Sequence, residues 1–106
     1  MYWGCIPPCP RRAFYALCFH LLDYRPNLNY NLIPVSNGIN IKWALLTNGK
    51  ELDEHYVWGL KSINPLIKLG LLEYLNDNKD ALIISQKGKE TWLEAKEQNT
   101  IEQFLY

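Results

Sequence analysis

The sequence predicts an α+β domain, mostly helical with one small antiparallel β-hairpin, on three observations. Apolar residues recur at helical spacing over much of the chain. Two short strand-like runs, Leu71-Leu72-Glu73-Tyr74-Leu75 and Ala81-Leu82-Ile83-Ile84, flank Asn76-Asp77-Asn78-Lys79-Asp80, whose composition suits a hairpin tip. At 106 residues and 48% hydrophobic content, residues 1–106 fit one domain with enough apolar surface for a core.

Taken in order, residues 1–9 read as an extended lead-in, because Pro7, Pro8 and the following Pro10 withhold the N–H that a helix interior needs. Residues 10–24 read as the first helix, with Pro10 in its first turn. Phe14, Leu17, Cys18 and Leu21 share one face, and Tyr15, Phe19 and Leu22 widen it. Arg12, Ala16, His20 and Asp23 leave only a narrow polar side. So wide an apolar sector is expected either to be deeply buried or to meet a second molecule as well.

Residues 25–40 read as an Asn-rich connector with Pro26, Pro34 and Gly38; within it Leu28-Asn29-Tyr30-Asn31-Leu32 alternates as a strand would. Residues 39–46 are apolar and end at Thr47-Asn48-Gly49; a short helix is expected, although Ile41-Lys42-Trp43 would also suit a strand. Asp53 is the expected N-cap of a longer helix towards Leu69, with Val57, Leu60, Ile63 and Ile67 at helical spacing. Pro65 should kink or divide that helix after Asn64, and Gly70 should end it. Ser85 caps a last helix over residues 86–106, which carries Trp92, Leu93, Ala95, Ile101, Phe104 and Leu105.

Two phrases and their spacing resemble the winged helix-turn-helix superfamily, in particular MarR- and PadR-type repressors. Leu69-Gly70-Leu71-Leu72-Glu73 is similar to the end of their recognition helix, and Ser85-x-x-Gly88-Lys89-Glu90 to the turn after their wing. The resemblance implies that residues 41–95 form a helix-turn-helix plus wing. It also implies, as one function, a small dimeric DNA-binding transcriptional regulator. Lys61, Lys68, Lys79, Lys87 and Lys89 would then contact nucleic acid.

The electrostatics favour a different function. Eleven Lys and Arg balance eleven Asp and Glu, which excludes a polybasic nucleic-acid arm and an acidic DNA mimic. The helix that would read DNA opens with Glu51, Asp53 and Glu54, and carboxylates there oppose phosphate. His55, Tyr56, Trp58, Lys61 and Ser62 would instead present an aromatic set suited to a protein partner. The expected function is therefore a non-catalytic module acting through protein–protein contact. Its size and Asn-, Lys- and Ile-rich composition suit a small phage or mobile-element inhibitor, such as an anti-CRISPR or host-takeover protein.

A homodimer through the first and C-terminal helices is expected from their apolar faces. Cys5, Cys9, Cys18 and His20 are zinc-ligand types, but residues 18 and 20 of one helix point to opposite sides, so no metal and no cofactor is expected. His55 beside Glu54 is not a dyad, and no phosphate loop or nucleophile elbow is present, so no enzyme is expected. The odd cysteine count and the lack of a long apolar run suggest a cytoplasmic protein without a membrane span.

Overall fold

The computed structural model describes residues 2–25, 29–37, 40–47, 50–51 and 56–101. Helix α1 (Pro8–Cys18) continues as a π-helical turn (Phe19–Tyr24). Strands β1 (Tyr30–Asn37), β2 (Asn40–Thr47), β3 (Lys50–Glu51) and β4 (Val57–Gly59) follow. Helix α2 (Leu60–Lys68), strands β5 (Leu72–Leu75) and β6 (Asn78–Ile84), and helix α3 (Gln86–Glu97) complete the order. The strands form one antiparallel sheet in the order β3-β2-β1-β6-β5, with β4 also paired to β2. Because β1 occupies the other side of β2, β3 and β4 share its outer edge.

This sheet overturns the winged-helix expectation. A winged helix is mostly helical with a small hairpin, whereas here a broad sheet is the central layer and the β5–β6 hairpin is only one of its margins. The expected connector contains β1, and the expected short helix is β2, paired residue for residue from Tyr30–Thr47 to Asn37–Asn40. The helix expected from Asp53 begins only at Leu60; Val57–Gly59 before it is a strand, with Trp58 opposite Trp43. Asp53 itself lies outside the described residues. The physical reason is common to these corrections. The β1–β2 ladder satisfies the backbone groups of a stretch whose hydrophobic pattern is ambiguous between strand and helix, and a ladder is made by a distant partner.

The other expectations shift less, the end of the last helix apart. The lead-in is not extended throughout: Trp3–Cys5 makes a 3-10 turn, and Trp3 and Ile6 are buried in the core. Helix α1 starts at Pro8, because the N–H groups that prolines lack in a first turn have no helical acceptor anyway. Pro65 lies inside a continuous α2, where it removes one backbone bond without dividing the helix. Gly70 does end α2, with φ of 79°. The hairpin tip is only Asn76-Asp77, both at positive φ, the two-residue turn that matches strand twist. Helix α3 ends at Glu97, Ile101 lies in the turn beyond it, and Phe104 and Leu105 are outside the described residues.

All three helices pack on one face of the sheet. Phe14, Leu17 and Leu21 from the first helix, Ile63 and Leu66 from α2, and Trp92 and Ala95 from α3 join Leu32, Leu45, Leu72 and Leu82 in one core. Each large side chain buried there contributes about 1.5–3 kcal/mol of transfer free energy. Among the described residues no helix is long and apolar enough to cross a membrane.

Candidate functional site: an aromatic surface along the first helix

The wide apolar sector of the first helix divides between inside and outside. Phe14, Leu17, Cys18 and Leu21 are buried, while Phe19 is 47% and Tyr24 62% exposed. The π turn makes this arrangement. In an α-helix, residues five apart point well away from each other; a π turn closes i to i+5, as the bond from Arg25 N–H to the His20 carbonyl shows (3.0 Å). Phe19 and Tyr24 are thereby brought over one another, with centroids 6.5 Å apart and rings 11° from parallel. Tyr15, one α-turn earlier, stacks on Phe19 at 6.0 Å and 15°. The Arg25 guanidinium lies 5.5 Å from the Tyr24 centroid.

A second row of rings joins the first. His20 lies 5.1 Å from Tyr56, and Tyr56 packs edge-on against Trp58 at 6.4 Å. Two open grooves result, with Tyr15 and Phe19 as the wall between them. One, of 470 Å³, is lined by Tyr15, Ala16, Phe19, His20, Tyr24 and Tyr56. The other, of 480 Å³, runs past Asp23, Trp92, Lys96 and Ile101.

Asp23 fixes the second groove. Its Oδ1 accepts from Trp92 Nε1 (3.1 Å) and Lys96 Nζ (2.8 Å), tying the π turn to α3. The carboxylate is thus engaged by an indole and an ammonium, which limits its use as a general base. Burial, reinforced by Arg25, holds the His20 imidazole below its usual pKa, so it is neutral near pH 7.

The residues expected at a partner surface are only partly brought together. Tyr56 and Trp58 are half-buried and join the aromatic surface. Lys61 is exposed on the first turn of α2, where it lines a separate groove with Ile41, Lys42 and Leu60; Ser62 is half-buried beside it in sequence. His55 lies outside the described residues, as do Asp53 and Glu54. Phe19, Tyr24 and Tyr15 were not expected as site residues. Their one signal in the sequence is the excess width of the first helix's apolar sector.

The remaining candidates have the following positions. Lys68 is exposed in the last turn of α2, Lys79 beside the β5–β6 tip, and Lys89 on α3. Lys87 Nζ donates to the Leu69 carbonyl (2.9 Å), capping the end of α2. Cys18 is fully buried, and burial pushes its thiol pKa well up; Cys5 and Cys9 are exposed. Among the described residues no three His, Cys, Asp or Glu side chains converge as metal ligands would. The apolar faces of the first and last helices, the expected dimer seam, are largely occupied by the core.

No protein-family model, curated protein or solved structure matches this chain.

Proposed function

We propose that this chain is a non-catalytic binding module that acts through protein–protein contact, as an inhibitor or adaptor, with its partner seated on the aromatic surface of the first helix. The observation that carries this reading is the π turn, which holds Phe19 and Tyr24 in a parallel, exposed stack above two grooves. Exposed aromatic side chains that other rings already hold in place lose little freedom on binding, and such residues dominate interface energetics. Catalysis has less support here: His20 packs against the Tyr24 and Tyr56 rings, Asp23 is engaged, and Cys18 is in the core. The DNA-regulator alternative has lost the winged-helix arrangement that motivated it.

The test is selection of binding peptides from a displayed library on the immobilised chain, followed by titration of the selected sequences. Peptides should lose at least about tenfold in affinity for Phe19→Ser and for Tyr24→Ser, with the circular dichroism spectrum retained. Peptides that bind both variants as tightly as the parent chain overturn the reading. Tight, salt-sensitive binding of duplex DNA that is lost in Lys61→Gln and Lys68→Gln would replace it with the regulator.

A further inference from the structure

The sheet has a second apolar face. Residues opposite one another across a ladder share a face, so Ile33, Ala44 and Val57 lie together, as do Val35 with Lys42 and Asn31 with Leu46. Glu73 pairs with Ile83 on that same side, and the Leu32–Leu82 register places Ile33 beside Ala81. None of Ile33, Val35, Leu46, Val57 and Ile83 belongs to the core cluster or packs against it, and all three helices lie on the other face. An antiparallel face exposed to water alternates towards polar residues; this one is apolar from β4 to β6, the pattern of a sheet covered on both sides.

We infer that this face is covered by a second copy of the chain, related to the first by a twofold axis. Its middle row reads Ala81, Ile33, Ala44, Val57 across the strands, alternating small and large side chains. Ala44 and Ala81 are buried while Ile33 and Val57 are half-buried, so the two larger side chains form the outer part of the row that a twofold axis would bring against its own copy. The exposed Lys42 and Glu73 stand at diagonal ends of the face with opposite charge. With strands about 4.8 Å apart and residues about 3.4 Å apart along them, the midpoint between these two residues falls between Ile33 and Ala81, at the centre of the apolar area. One twofold axis through that midpoint therefore pairs Lys42 with Glu73 of the second copy twice and crosses the two apolar rows near their centres. It crosses the strands of the two sheets steeply, in the orthogonal class of sheet packing. The arrangement leaves Phe19 and Tyr24 free, so it is independent of the partner site.

The experiment is light scattering on the full chain at tens of micromolar, where association of roughly micromolar strength saturates. The parent chain should have twice the mass of one chain, which is 12.4 kDa. Ile33→Lys should be monomeric with an unchanged circular dichroism spectrum. Lys42→Glu and Glu73→Lys, both at exposed positions, should each weaken the dimer at least about tenfold, because each sets like charges together twice. The double exchange Lys42→Glu/Glu73→Lys should restore it. A monomeric parent chain overturns the inference, and so does a double exchange that dimerises no better than either single variant.

Discussion

Asp23 joins two elements through a single oxygen. Trp92→Phe loses the indole bond and leaves a gap in the core, so it should cost at least about 2 kcal/mol, whereas losing Lys96, an exposed partner, should cost well under 1 kcal/mol. Urea titration of both variants separates the two contributions. His20 gives a pH signature. Its folded pKa lies below the unfolded one, so the unfolded chain binds the proton more readily. The stability this imidazole contributes is complete above the unfolded value and declines as pH falls below it. The denaturation midpoint of the parent chain should drop between about pH 8 and pH 5.5, and the part of that drop due to this residue should vanish in His20→Gln. The thiols differ in the same physical sense. Iodoacetamide should modify Cys5 and Cys9 in the native chain and reach Cys18 only after unfolding, which mass spectrometry reads directly.

The link from α2 through β5 and β6 to α3 depends on close backbone approach. Ser85 caps α3 by accepting from Gly88 N–H, and its hydroxyl donates to the Gly70 carbonyl. A Cβ at Gly88 would run into the Leu71 carbonyl and come 2.9 Å from Ile84 Cγ2. Helix propensity alone would make Gly88→Ala favourable by up to about 1 kcal/mol, but the carbonyl belongs to a backbone that cannot easily yield. Chemical denaturation should therefore show a net loss of about 1–3 kcal/mol. Gly59→Ala is the control, with open space and an ordinary φ, and should change stability by less than about 0.5 kcal/mol. The π turn belongs to this scale too. One additional residue in a helical turn converts a continuous apolar sector into a buried side and an exposed aromatic stack.

Across the whole molecule, zero net charge and a layered architecture separate the functional readings. A partner held on rings should be only weakly sensitive to salt; a selected peptide should lose less than about threefold in affinity between 0.1 and 0.5 M NaCl. Phosphate-directed binding would instead fall steeply with salt. Titration of one peptide across that range makes the comparison. The layers also show where the chain's apolar residues go. Helices cover one face of the sheet, and the other is apolar without packing on the core.

Where local chemistry suffices, the sequence already decides the structure. Gly70 ends a helix, Asn76-Asp77 turns a hairpin, Ser85 caps α3, and Phe14, Leu17 and Leu21 mark a buried helical face. Each of these depends on neighbours within a turn or two. Tertiary structure decided β4, the choice of strand over helix for β2, and the extent of β1 beyond the alternating residues 28–32. Trp43 and Leu45 face the core while Ala44 and Leu46 face the other side, so residues 43–46 are apolar throughout and offset the strand-like alternation of Ile41-Lys42-Trp43. Here β2 is a strand because Tyr30–Asn37 and Val57–Gly59 supply its backbone partners, the latter from beyond residues 52–55. The aromatic site has the same origin. Tyr56 and Trp58 read as site residues from their types, but only the π turn and the packing of β4 bring Phe19, Tyr24 and His20 to them.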